Sequence, residues 1–160
     1  MKVEQVMSRN IKTCLSSDTL NRAAQLMWER DCGCLPVVDD EGRAVGMITD
    51  RDVCMAAYIQ GGLLDHLQVG SAMAHDVRSC RPTDTVAEAE SIMRAGQVRR
   101  LPVIDAESHV IGLLSLNDIA REVARERTTS GTPEVGSEEI AETLGAICAP
   151  REHRELAVAA

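Results

Sequence analysis

The sequence predicts an α/β fold: two pseudo-symmetric β-α-β-β-α repeats packed as one compact module. Three observations carry this. First, Met7, Cys14, Asp18, Thr19, Ala23, Met27, Leu35, Pro36, Val37, Asp39, Gly46 and Asp52 recur 66 residues on as Met73, Cys80, Asp84, Thr85, Ala89, Met93, Leu101, Pro102, Val103, Asp105, Gly112 and Asp118. An ungapped offset of this kind marks one supersecondary unit used twice. Second, each unit alternates short apolar runs with segments of helical spacing. Third, 44% apolar residues in a chain of 160 suffice for a core, and that core is aliphatic because Trp28 and Tyr58 are the only aromatics. The expected boundaries are 1–66 for the first repeat, 67–127 for the second, 128–136 for a flexible linker, and 137–160 for a short helix and frayed tail.

In the first repeat, Ile11 to Cys14 reads as a short extended segment. Asp18 or Thr19 caps a helix over about 19–30, with Leu20, Ala23, Ala24, Met27 and Trp28 on one face. Leu35-Pro36-Val37-Val38 is a strand with proline near its start, where a missing N–H is tolerated. Asp39 to Gly42 is a hairpin loop, Ala44 to Ile48 the next strand, and Thr49 opens a helix to about Ile59. The second repeat runs alike. Val77-Arg78-Ser79 is extended, 85–95 is helical, Leu101 to Ile104 and Val110 to Leu114 are strands, and Ser115 opens a helix to about Arg127. Val69 to Met73 matches Val3 to Met7 and leads into the second unit. Beyond Thr128, Ile140, Leu144 and Ile147 share one face of a helix over about 138–148 that docks on something.

Charge and composition exclude several classes. A net charge of −8 with two aromatics makes a poor nucleic-acid binder, which needs a basic footprint and stacking platforms. No apolar run approaches the ~20 residues that span a bilayer, and Met1-Lys2-Val3-Glu4-Gln5 has no signal-peptide core. A cytoplasmic location is expected. The six cysteines are then free thiols rather than a disulfide framework.

The stretch Gly46-Met47-Ile48-Thr49-Asp50-Arg51-Asp52 is mirrored by Gly112-Leu113-Leu114-Ser115-Leu116-Asn117-Asp118. Each is a strand, a hydroxyl residue, and an Asp three positions on. Taken alone this is a capping box. The same geometry offers helix-start amides to a phosphate and a carboxylate to the two hydroxyls of a ribose. Cys32-Gly33-Cys34 is C-x-C rather than C-x-x-C and lacks a second ligand pair for zinc. The runs Asp39-Asp40-Glu41 and Asp105-Ala106-Glu107 read as turns rather than cation sites. Catalytic equipment is absent from the sequence: no phosphate loop of the G-x-x-x-x-G-K type and no H-E-x-x-H.

Two units with Leu-Pro-Val-Val-Asp followed by Gly-x-Ile-Thr-x-Arg-Asp resemble a tandem pair of CBS domains (a Bateman module). Val98 to Asp105 with Gly112 to Asp118 is an especially good match, and the resemblance covers about 3–125. It implies a stand-alone regulatory module, not an enzyme, that binds AMP, ADP, ATP or an adenosyl compound between the repeats as a regulatory ligand, with no required cofactor and no metal. It also implies roles. Asp52 and Asp118 fall where the family binds ribose, and Thr49 and Ser115 where it places a hydroxyl near phosphate. Arg99 and Arg100 precede Leu-Pro, where basic phosphate contacts occur. Thr13 and Ser79 match the segment that meets the base. The halves differ: Gly33 and Cys34 stand opposite Arg99 and Arg100, and Arg51 opposite Asn117. One strong and one weak site are expected, the stronger supplied by Arg99 and Arg100.

A homodimer through apolar helix faces (Ala56, Ala57, Val123, Ala124) and an unknown effector protein acting in trans complete the expectation. The alternative is a structural or interaction protein with vestigial clefts and redox- or metal-responsive cysteines.

Overall fold

The computed structural model describes residues 1–128 and 136–150. The expected linker and frayed tail fall mostly on 129–135 and 151–160, which lie outside the described residues. The elements are α1 (Val3–Val6), β1 (Cys14–Leu15), α2 (Leu20–Glu29), β2 (Cys34–Val38), β3 (Ala44–Thr49), α3 (Asp50–Gln60), a 3-10 turn (Val69–Ser71), α4 (Val86–Gly96), β4 (Arg100–Ile104), β5 (Val110–Ser115), α5 (Leu116–Thr128) and α6 (Ser137–Cys148).

Helices α2, α3 and α4 each start where a threonine meets the end of an extended stretch. Thr19 caps α2 by accepting from Arg22 N, and Thr85 caps α4 with Glu88 reaching back. Such caps are worth about 0.5–2 kcal/mol each. In repeat 1, β1 runs parallel to β2, and β2 antiparallel to β3. In repeat 2, β4 and β5 pair antiparallel, and the expected first strand shrinks to a single parallel bridge, Cys80 to Val103. Its residues 77–79 form no ladder.

The repeats interlock in a way their sequence order does not announce. The segment ahead of repeat 1 packs on repeat 2: Val3 and Met7 join Val86, Met93, Leu101 and Leu114 in one core, and Ser8 bridges Leu113 of β5. The segment ahead of repeat 2 packs on repeat 1: Val69 joins Leu20, Leu35, Ile48 and Val53, and Ala74 bridges Met47 of β3. This exchange explains the paired glycines. A Cβ on Gly46 would stand 2.6 Å from Met73 Sδ, and one on Gly112 would stand 2.9 Å from Met7 Sδ, both closer than atoms pack without displacement. The hairpin tips meet as well, with Ala44 N donating to Ser108 O and Val110 N to Gly42 O.

One expectation changes: Ala56 and Val123 are core residues, at 6% and 5% exposure, and so are not partner-seeking surface. Met55 on the same helix as Ala56 is exposed. The final helix docks as expected, across α4 and α5.

Candidate functional site

The turn from β3 into α3 builds one corner. Thr49 is extended (φ −120°, ψ 164°), which places its hydroxyl over the first turn of the helix. Its Oγ1 accepts from Asp52 N (3.2 Å) and donates to Asp52 Oδ2 (2.7 Å), and Thr49 N donates to the same oxygen (2.9 Å). Asp52 Oδ1 accepts no hydrogen bond among the described residues. The capping geometry therefore uses one carboxylate oxygen and leaves the other available.

The mirrored corner is built alike but closed. Ser115 N and Oγ donate to Asp118 Oδ2 (2.9 and 2.5 Å). Asp118 Oδ1 accepts from Ser8 Oγ (3.4 Å) and pairs with Arg121. Asp118 is 7% exposed. The residues at the places of Ser8 and Arg121 in the other repeat are Ala74 and Met55, which carry no polar group able to reach Asp52 Oδ1. The difference between the corners is thus written in two substitutions.

A cleft of about 300 Å³ opens at the Asp52 corner. Thr49, Asp50, Arg51 and Asp52 form one wall, and Gly33 and Cys34 continue it. Ala74, Asp76 and Arg78 come from the exchanged segment, and Gln97, Val98, Arg99 and Arg100 from the approach to β4. The swapped packing thus carries Arg99 and Arg100 of repeat 2 to the aspartate of repeat 1. Arg51, Arg99 and Arg100 have no ion-pair partner among the described residues. Arg78 Nη2 lies 2.7 Å from Asp76 Oδ2, an exposed pair of small energetic weight. The expected helix-start amides are already taken: Asp50 N by Gly33 O, Arg51 N by Asp50 Oδ1, and Asp52 N by Thr49 Oγ1. An anion in this cleft therefore meets guanidinium groups rather than free amides.

Of the ten residues singled out from the sequence, Thr49, Arg51, Asp52, Arg99 and Arg100 line this cleft, whereas Thr13, Ser79, Ser115, Asn117 and Asp118 do not. Sequence reasoning missed Arg78. The signal was available in the cation kept at that place in both repeats, Lys12 and Arg78.

The thiols divide by burial. Desolvation pushes Cys14 and Cys80 up to about 12. It pushes Cys34 to about 11 even with Arg100 nearby. Among the described residues, Asp105, Glu107 and His109 place ligand-type atoms within 4.8 Å of one another. Their arrangement is that of a turn: Asp105 Oδ1 accepts from Glu107 N and His109 N, and Asp105 Oδ2 lies 3.2 Å from His109 Nδ1.

Comparison with known proteins gives the frame. Residues 3–58 and 69–125 each match the family model of the CBS domain. The CBS domain-containing protein YhcV of Bacillus subtilis is 31% identical over 118 residues, which are 74% of this chain and 82% of that protein. The solved structure of Hypoxic Response Protein I with two coordinated zinc ions superposes with a TM-score of 0.69 at 30% identity, covering 76% of this chain and 98% of that one. CBSX2, a CBS-pair protein of Arabidopsis thaliana, solved in complex with AMP, superposes with a TM-score of 0.70 at 25% identity, covering 79% of this chain and 98% of that one. Several other curated relatives carry enzyme names, and the chain spans less than a quarter of their length. Among the described residues no helix is long and apolar enough to cross a membrane.

Proposed function

The chain belongs to the CBS-domain family, as a tandem pair, and on that premise we propose that it is a regulatory module binding one adenine nucleotide or adenosyl compound in the Asp52 cleft. The observation that carries this is the unengaged Asp52 Oδ1 in the same cleft as Arg51, Arg99 and Arg100. A carboxylate accepts from a ribose diol, and guanidinium groups bind phosphate in bidentate fashion. Met47, Ala74 and Val98 add apolar wall for a base. The AMP complex of the similar CBSX2 supports the ligand class.

The Asp118 corner is the weak or empty site, because its carboxylate is spent on Ser115, Ser8 and Arg121. The module acts by linkage: a ligand bridging both repeats favours the arrangement that closes on it, and an effector protein reads the change in trans. The competing reading, a structural protein with responsive cysteines, has less support, since burial disfavours the thiolates of Cys14, Cys34 and Cys80.

Isothermal titration with AMP, ADP, ATP and S-adenosylmethionine tests the proposal. One equivalent per chain, lost in Asp52→Asn and kept in Asp118→Asn, is the expected result. No heat with any of the four at millimolar concentration overturns it.

A further inference from the structure

The two hairpin tips, Asp39 to Arg43 and Asp105 to His109, are built on the same hydrogen bonds. Asp39 Oδ1 accepts from Glu41 N (3.1 Å) and Arg43 N (2.8 Å). Asp105 Oδ1 accepts from Glu107 N (3.0 Å) and His109 N (2.8 Å). Gly42 and Ser108 take the same left-handed backbone, with φ 84° and 70°. The turn expected from the sequence is therefore present in both repeats, and it uses one oxygen of each aspartate. The other oxygen, Oδ2, meets the side chain four positions on.

In repeat 1 that side chain is a cation. Arg43 Nε lies 2.8 Å from Asp39 Oδ2, and Arg43 Nη2 lies 2.8 Å from Glu41 Oε2. The two carboxylates thus hold one positive charge between them. In repeat 2 the carboxylates are kept, as Asp105 and Glu107, and the arginine is replaced by His109. An imidazole supplies no permanent charge, but it supplies a ring nitrogen that ligates metals. His109 Nδ1 lies 3.2 Å from Asp105 Oδ2, and ligand-type atoms of all three residues lie within 4.8 Å of one another.

We propose that Asp105, Glu107 and His109 bind a divalent transition-metal ion of the zinc type, which takes the place that the Arg43 guanidinium holds in repeat 1. Zinc bonds to nitrogen and oxygen of about 2.0–2.2 Å in a tetrahedral shell set neighbouring ligand atoms about 3.3 Å apart. The Asp105–His109 pair already stands at 3.2 Å. Glu107 is exposed and has no ion-pair partner among the described residues, so its carboxylate is available to complete the set. Water fills the fourth position, as at other sites with three protein ligands. One imidazole with two carboxylates disfavours magnesium and calcium, which take all-oxygen shells of higher coordination.

The seat follows the end of β4, whereas Arg100 at the start of that strand lines the nucleotide cleft. Cleft and seat share no residue, so metal and nucleotide occupy separate sites. His109 also sits between the two bonds that join the hairpin tips: Ala44 N donates to Ser108 O (3.0 Å) and Val110 N to Gly42 O (3.1 Å). A metal that fixes the His109 ring therefore stiffens the seam between the repeats.

The test titrates zinc by calorimetry into the full chain, stripped of metal and free of any affinity tag. One equivalent is expected. His109→Arg, which restores the repeat-1 arrangement, should lose it while keeping the fold by circular dichroism. Glu107→Gln should weaken it about tenfold. Arg43→His should add a second equivalent, because Asp39 and Glu41 then face an imidazole. Magnesium and calcium should bind more weakly than zinc by about tenfold or more. Cobalt(II) in place of zinc reports the ligands: its spectrum should lack the thiolate-to-metal charge-transfer band that the exposed Cys54 or Cys148 would produce. Zinc should raise the melting temperature of the parent and leave that of His109→Arg unchanged. No bound equivalent in the parent, undiminished binding in His109→Arg, a thiolate band that grows with the bound equivalent, or no gain in Arg43→His overturns the proposal. A melting temperature that zinc leaves unchanged while one equivalent binds overturns the stiffening of the seam.

Discussion

Asp52 and Asp118 hold the same position in the two repeats, yet only Asp52 keeps a carboxylate oxygen that accepts no hydrogen bond among the described residues. The cause lies outside the motif that contains them. Ser8 and Arg121 close on Asp118, and the matching places near Asp52 hold Ala74 and Met55.

That relationship predicts an exchange. The double variant Ala74→Ser with Met55→Arg installs the plug at the Asp52 corner and should weaken AMP binding by about tenfold, or about 1.4 kcal/mol. The fold should survive, because both changed side chains are exposed. Calorimetry gives the affinity and circular dichroism the fold.

Arg100→Ala should weaken AMP by a similar factor and adenosine far less, since a guanidinium is matched to phosphate rather than to ribose or base. Titrating both ligands against both proteins checks this. Equal losses for the two ligands would count against a phosphate role.

Asp118→Ala should leave nucleotide affinity unchanged and lower stability. The carboxylate completes the capping box of Ser115, a contribution on the order of 1 kcal/mol, and each kcal/mol moves the melting temperature of a chain this size by about 2–4 °C. Thermal melting with and without AMP separates the two effects.

Glu90 supplies a pH dependence. Burial raises its pKa above the ordinary 4.5, and the Thr143 hydrogen bond only partly offsets this. Glu139 raises it further and Arg94 lowers it. The folded chain therefore holds this proton more tightly than the unfolded chain, and stability falls as pH rises past 4.5. Glu90→Gln removes the penalty. Melting curves from pH 4 to pH 8 should show the variant gaining on the parent as pH rises.

Thiol chemistry should follow burial. Cys54 and Cys148 are exposed and Cys32 half-buried, whereas Cys14, Cys34 and Cys80 are buried with raised pKa values. A disulfide-exchange reagent at pH 8 should titrate the first group in the native protein and the second only on unfolding.

Much of the fold was legible because its rules are local. Thr19, Thr49 and Thr85 cap helices where hydroxyl residues follow extended segments, and Leu35, Val37, Leu101 and Val103 are buried as strand residues. The brief first strands and the four-residue α1 were less legible, since a single bridge or turn leaves almost no periodic signal. Half of the anticipated site residues gathered in one cleft. Thr13, Ser79, Ser115, Asn117 and Asp118 did not, because motif symmetry does not determine which partner groups pack against each copy.

By itself the sequence determined the duplication, the strand and helix order, and the hydroxyl–aspartate corners, all of which depend on residues a few positions apart or on a fixed repeat. Tertiary structure alone decided that Arg99 and Arg100 line the cleft of Asp52, that Ser8 and Arg121 occupy Asp118, and that α6 covers the groove between α4 and α5 rather than its repeat-1 counterpart. The physical reason is the exchange of lead segments. Packing Val3 and Met7 into repeat 2, and Val69 into repeat 1, joins groups far apart in the chain, and the buried apolar area that drives this joining is non-directional and leaves no local pattern to read.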